Sequence, residues 1–251
     1  MEERLNKWLS RMGVCSRREA DRLIEAGKVL VDNRPASMGQ KVTPGQKVVC
    51  NGKMVRVDRS QRPRPVLLAV NKPKGVVCTT TDKDRAENIV DFLGYPERIY
   101  PVGRLDKDSE GLLLMTNQGD LVNKIMRSGN AHEKEYIVTI DKPVTEHFLE
   151  QMAGGIRLSE LDQVTRPCKV KKVDRNTFSI ILTQGLNRQI RRMCEACGCQ
   201  VKRLVRVRIM NIRLGNLRTG AYRQITKEEY EELTGLLKDS SSLSLKERKN
   251  Q

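Results

Sequence analysis

This chain of 251 residues is short of long apolar runs, of histidine and of acid. No stretch approaches the ~18 to 20 consecutive apolar residues that a membrane-spanning helix requires, so no membrane helix is expected. The first residues, MEERLNKWLSRMG, do not contain the apolar core of a secretory signal, and the expected location is the cytoplasm. The two histidines, His132 and His147, stand in no ligand spacing. Seven cysteines, an odd number, fit reduced thiols better than a disulfide framework. Cys194 and Cys197, with Cys199 close behind, resemble half of a zinc site, but the second half is missing and no metal is expected. Acids are outnumbered, 31 Asp and Glu against 47 Lys and Arg, which gives a formal net charge of +16 and a pI near 9.7. That balance favours a polyanion as partner, nucleic acid first.

The basic residues are not spread evenly. Residues 1–64 hold 15 Lys and Arg and seven Asp and Glu, half of the whole formal charge. In this stretch Leu5, Trp8, Leu9 and Met12 fall at helical spacing and predict a short amphipathic helix ending at Gly13. Ser16 followed by Glu19 is a capping-box pattern that opens a second helix, with Ala20, Leu23 and Ile24 as its apolar stripe and Gly27 as its stop. Arg17, Arg18 and Arg22 project from the first turns of that helix, where cationic side chains and a helix N-terminus can face phosphates together. Then come KVLV, a turn at DNRP, a type II turn at Pro44-Gly45 and a hairpin at Asn51-Gly52. The segment RLNKWLSRMGVCSRREADRLIEAGKVLVDNR, with the later VTPGQKV, resembles the small RNA-binding domain of the ribosomal-protein-S-four type. Such a domain names a partner and leaves the reaction open.

The stretch VDRSQRPRPV reads as a polar, basic linker. Beyond it, VLLAVNKP, EYIVTI, FSIILTQ and VKRLVRVRIMNIRL read as strands, and NIVDFLG, DLVNKIMRSG, TEHFLEQMAGG and NRQIRRMCEACG as helices. The expected fold class is therefore α+β. A small N-terminal α/β RNA-binding domain (1–60) and a linker (61–66) precede a catalytic domain (67–238) built on a mixed, mainly antiparallel sheet with flanking helices. The serine-rich tail (239–251) is expected to be disordered. Residues 186–213 carry eight Lys and Arg and one acid, Glu195, and predict a second basic surface.

The stretch GRLDKDSEGLLLMTNQGD, Gly103 to Asp120, is the most informative. Its alternating Asp106, Asp108 and Glu110 followed by Gly111 imitate the first half of an EF-hand loop. The bidentate glutamate of such a loop would fall at residue 117, which is Asn117. The second half would be Leu112 to Met115, four apolar residues that suit a buried strand. Calcium is thereby discounted. A surface turn accounts for Asp108 and Glu110, but Asp106 lies between two cations, Arg104 and Lys107, at the mouth of a strand. Opposite charges favour an ionised, positioned carboxylate, which can serve as a covalent nucleophile. Spacing alone leaves turn and catalyst open.

The same stretch resembles the signature of RNA pseudouridine synthases of the RsuA/RluF type, together with NKPKGVVCTT, NAHEKEYIVTI and QGLNRQIRRM. The variant GLNRQIRRMCEACG points to the RluF-like branch. The resemblance implies isomerisation of a specific uridine in ribosomal RNA, large-subunit RNA being favoured, through base flipping and without metal, nucleotide or other cofactor. It implies that Asp106 is the nucleophile, by covalent addition to the anomeric carbon or by assisting glycal formation. By the same matches Tyr136 stacks on the uracil and serves in proton transfer, and Arg191 pairs with the aspartate. Arg104, Leu105, Lys107, Leu186, Asn187, Arg188, Gln189, Arg17 and Arg18 are the implied RNA contacts, and Arg192 and Arg203 to Arg208 are read as contacts to the RNA backbone. Lys72 is counted as structural. The implied partner is a ribosomal RNA stem-loop, with transfer RNA as a second candidate, and the protein is expected to act as a monomer. The competing expectation is a non-catalytic RNA-binding or ribosome-assembly factor on the same scaffold.

Overall fold

The structure is a computed structural model that describes residues 2–55, 64–78 and 86–240. The chain divides into two compact units, Met1–Pro65 and Val66–Gln251. The expected linker and tail lie mostly outside the described residues.

The first unit is built on two helices, α1 (Leu5–Arg11) and α2 (Arg17–Glu25), and two short strands, β1 (Val29–Val31) and β2 (Val48–Cys50). Leu5, Trp8 and Leu9 of α1 bury against Ala20 and Ile24 of α2 and the valines of the strands, which is why the apolar positions recur at helical spacing. The Ser16 hydroxyl caps α2 by accepting from the Glu19 amide at 3.1 Å. The reciprocal half of the capping box does not form, because the Glu19 carboxylate pairs with Arg22 at 3.2 Å. At Asn51-Gly52 both residues have positive φ, 50° and 74°, as a two-residue hairpin between β2 and Lys53–Met54 demands.

The second unit contains, in chain order, β3 (Leu67–Lys72), α3 (Ile89–Leu93), β4 (Glu110–Thr116), α4 (Gly119–Met126), β5 (Lys134–Ile140) and α5 (Glu146–Gly154). Next come β6 (Lys169–Asp174), β7 (Thr177–Leu182), α6 (Gln189–Ala196), β8 (Val201–Ile209), β9 (Tyr222–Gln224) and α7 (Lys227–Leu236). Its sheet runs β6-β7-β5-β8-β4-β3-β9, with short strands Tyr100–Pro101 beside β4 and Ile212–Arg213 beside β8. Among these pairings β4 with β8 is parallel and the rest are antiparallel, so the sheet is mixed and mainly antiparallel as expected.

The continuous apolar runs LLAV and LLLM follow from burial on both faces. Leu67 and Ala69 of β3, with Leu112 and Leu114 of β4, pack on one side with Leu121 and Ile125 of α4 and Leu233 of α7. Leu68, Val70, Leu113 and Met115 alternate to the other side, beneath Ile89 of α3. A separate core joins β5, β7 and β8 to Phe148 and Met152 of α5 and Ile190, Met193 and Cys194 of α6.

Two expectations on strands need correction. VKRLVRVRIMNIRL is not one strand: β8 ends at Ile209, Met210 takes a positive φ of 51°, and Ile212–Arg213 fold back on β8. The lysine-rich KVKKVD, not read as a strand, forms β6 at the sheet edge, where exposed lysines keep another chain from adding on.

Candidate active site

Asp106 sits in the turn that enters β4, half-buried, in a loop held from several sides. The Ser109 amide donates to the Asp106 carbonyl at 3.0 Å, and the Gly75 amide to the Lys107 carbonyl at 2.9 Å. Arg191, in the first turn of α6, donates through Nη2 to the Asp108 carbonyl at 3.1 Å and through Nη1 to the Val201 carbonyl at 3.3 Å. Arg206 of β8 donates through Nε to the Leu112 carbonyl at 2.7 Å and through Nη1 to the Arg104 carbonyl at 3.5 Å. The backbone around Asp106 is thus fixed, while its carboxylate forms no hydrogen bond or ion pair among the described residues.

The floor beneath the loop is one row across four adjacent strands. Cross-strand register sets Lys72 of β3 against Gly111 of β4, Gly111 against Arg206 of β8, and Arg206 against Tyr136 of β5. Residues paired in this way share a face. Gly111 is required in the middle: its φ is +103°, and a Cβ there would lie 2.4 Å from the Arg206 carbonyl oxygen. The missing side chain lets the parallel strands meet and leaves the large neighbours facing each other across it. Tyr136 is half-buried and touches two cores, one on each side of the row.

The row is strongly cationic. Lys72 is fully buried, with its Nζ donating to the Pro73 carbonyl at 2.7 Å, and Arg206 is 1% exposed. Lys134, two residues before Tyr136, is also buried; burial, with the charge of Arg206 added, pushes its pKa down to about 8. Burial likewise pulls the Lys72 ammonium below the ordinary lysine range, against the attraction of Asp106 and Asp108. Lys72, set aside from the sequence as structural, is therefore in electrostatic reach of Asp106. The signal was there in a lysine closing a strand that opens with four apolar residues, LLAVNK.

A half-buried carboxylate, unpartnered among the described residues and in electrostatic reach of a buried lysine, has the chemical means for nucleophilic attack. Comparison with known proteins is decisive as to family. The model for RNA pseudouridylate synthases matches residues 66–196, and that for the S4 domain matches residues 3–48. This chain belongs to the RNA pseudouridylate synthase family. The dual-specificity RNA pseudouridine synthase RluF of Escherichia coli strain K12 is 52% identical over 239 residues, 95% of this chain and 81% of its own length. The ribosomal large subunit pseudouridine synthase B of Bacillus subtilis strain 168 is 35% identical over 240 residues, covering 93% of this chain and 96% of that one. A crystal structure of a pseudouridylate synthase superimposes with a TM-score of 0.67 at 28% identity, over 92% of this chain and 99% of that one.

In this synthase the sequence-read site residues separate into two groups. Arg104, Lys107, Asn187 and Arg188 are exposed, and the side chains of Arg104 and Lys107 have no partner among the described residues. Arg188 stands at a positive φ of 50° before α6 and lies 3.5 Å from the Asp108 carboxylate at the surface. Arg17 and Arg18 are exposed on α2 of the first unit. Leu186 is half-buried. By contrast Leu105 is 7% exposed and packs in the core beneath the loop, and Gln189 is 4% exposed. The Gln189 side-chain Oε1 accepts from the Leu186 backbone amide at 3.1 Å, and its Nε2 reaches Met193 Sδ at 3.8 Å. The structure thus places these two side chains inside their loops and not at the exposed surface.

The second basic surface is also smaller than residues 186–213 suggest. Arg203 pairs with Glu110 at 2.6 Å, Arg208 with Glu135 and Glu133 at 2.8 and 2.9 Å, and Arg192 with Glu160 and the Asn187 carbonyl. Arg206 is buried and so is withdrawn from the surface read as contacting the RNA backbone, whereas Arg192, Arg203 and Arg208 stand in ion pairs with acids and Arg203 stays largely exposed. Arg191 makes its described bonds to the Asp108 carbonyl of the loop and the Val201 carbonyl of β8, and not to the Asp106 carboxylate.

Proposed function

We propose that the synthase isomerises a uridine in a ribosomal RNA stem-loop to pseudouridine, with Asp106 as nucleophile. The observation that carries this reading is the Asp106 carboxylate itself, half-buried, without a partner among the described residues and held over a row of buried cations. The glycosidic bond between the anomeric carbon and ring nitrogen breaks, uracil leaves with the bonding electrons, rotates and rejoins through ring carbon five. Loss of the proton from that carbon to solvent, matched by uptake of one proton at the ring nitrogen that had carried the ribose, completes an isomerisation that consumes no oxidant, reductant or nucleotide. Asp106 adds to the anomeric carbon as the base leaves, and this ester bond breaks, freeing the carboxylate, when ring carbon five attacks the same carbon; Tyr136 stacks on the base and takes part in proton transfer. Arg191 keeps the loop in place through the Asp108 carbonyl.

A stacked uridine is out of reach, so the target is flipped out of the stem-loop, at a cost of a few kcal/mol offset by stacking on Tyr136 and by phosphate contacts. Arg104, Lys107, Asn187 and Arg188 border the pocket, and Arg17 and Arg18 of the S4 domain hold the RNA backbone. The names of the relatives support large-subunit ribosomal RNA as the first substrate to test and a second RNA as the next, for which transfer RNA is our candidate. The protein acts as a cytoplasmic monomer; among the described residues no helix is long and apolar enough to cross a membrane.

Deproteinised ribosomal RNA carrying uridine tritiated at ring carbon five is the direct assay. The wild-type protein is expected to release tritium, and Asp106→Asn to release none while binding the RNA as tightly. Equal turnover by Asp106→Asn would overturn the assignment.

A further inference from the structure

We propose that Arg206 is a positioning residue that clips together the two ends of the loop carrying Asp106 and so sets where the carboxylate stands. The inference rests on Asp106 being the nucleophile. The planar guanidinium spans the loop from two of its edges: Nε donates to the Leu112 carbonyl on its strand side and Nη1 to the Arg104 carbonyl on its entry side. The Arg206 backbone is fixed as well, since it packs against the bare Cα of Gly111 in the parallel pair of β4 and β8. Loop and clip are therefore held by the same residue at both main-chain and side-chain level.

Stability does not account for an arginine there. At 1% exposure it has no carboxylate partner among the described residues, and its Nη2 is buried without a hydrogen-bond partner among them. Lys72 and Lys134 add like charge nearby, each with its pKa pulled down in part by Arg206. Burying a charge under such conditions costs several kcal/mol. Burial also excludes a direct hold on phosphate. What remains is geometry: two carbonyls at opposite ends of the loop, joined by a rigid planar fork that a flexible ammonium cannot reproduce.

The test is Arg206→Lys in the full chain, which keeps the charge and loses the fork. The expected result is a kcat lower by about a hundredfold, the scale of a catalytic group displaced by an ångström, with KM and RNA affinity within about twofold of wild type. Amide exchange at Ser109 and Gly75, whose bonds close on Asp106 and Lys107, is expected to quicken while Leu113 to Met115 stay protected. Wild-type kcat, unchanged exchange or a loss confined to RNA affinity would each overturn the proposal. Should Arg206→Lys not fold, Arg206→Gln, which retains a donor for one carbonyl only, gives the same readouts. In an Asp106→Asn background, Arg206→Lys is expected to leave RNA affinity unchanged. Failure of the nucleophile reading shows separately, as retained turnover in Asp106→Asn with Arg206 intact.

Discussion

Gly111→Ala is the substitution whose cost follows most directly from the structure. A Cβ at this position would stand 2.4 Å from the Arg206 carbonyl oxygen, 2.8 Å from its amide nitrogen and 2.9 Å from Val205 Cγ1. Two of those three atoms are backbone and cannot swing aside. The φ of +103° adds a strain of about 1–2 kcal/mol for an L residue, and relieving the clash costs about 1–3 kcal/mol more. The sum, about 2–5 kcal/mol, corresponds for a unit of this size to a fall in Tm on the order of 5–20 °C. Thermal unfolding followed by far-ultraviolet circular dichroism measures it, with fluorescence of Trp8, the one tryptophan, reporting on the first unit. Gly235→Ala in α7 is the control. Nothing lies within 4 Å of its added Cβ, and a helical alanine is expected to stabilise by about 0.5–1 kcal/mol. A Gly111→Ala protein melting within about a degree of wild type would refute the close approach of β4 and β8.

Further expectations concern titration and RNA binding. The Lys134 pKa is lowered to about 8, below its unfolded value, so the unfolded chain binds more protons between the two and stability should rise with pH from about 8 towards 10.5. Urea unfolding across that range should show the rise in wild type and a flatter profile in Lys134→Met; equal slopes would exclude it. Arg17→Ala and Arg18→Ala should each weaken RNA binding across sequences and reduce the slope of log affinity against log salt by about 0.7–1. An unchanged slope in filter binding would remove the two from the phosphate-contacting set.

Local signals carried much of the fold. The Ser16 cap, the Asn51-Gly52 hairpin and the apolar LLLM strand were legible because each depends on a few neighbouring residues and on burial. So was the candidate nucleophile, once Asn117 removed the calcium reading and the matching motifs were set beside it. Arg206 was not legible. On β8 it looks like one of three closely spaced arginines, and what separates it from Arg203 and Arg208 is that it faces Gly111 while they face glutamates. The burial of Lys72 and Gln189 was not legible for the same reason, since burial of a polar side chain is decided by the strand or helix that covers it. The helix α7 is a different case: its box, with Thr226 and Glu229 bonded reciprocally, is written in TKEE and could have been read.

The row from Lys72 to Tyr136 also bears on how the protein acquires activity. Arg206 and Leu112, whose bond closes the loop, are 94 residues apart in sequence, and the strands that frame the loop are brought together by a parallel pairing that no hairpin can nucleate. Contacts of such long range form late, after loop-closure entropy has been met. A chain that has collapsed but not yet joined β4 to β8 would hold Asp106 in no particular place, so turnover should return in refolding with the last structural phase rather than with helix formation.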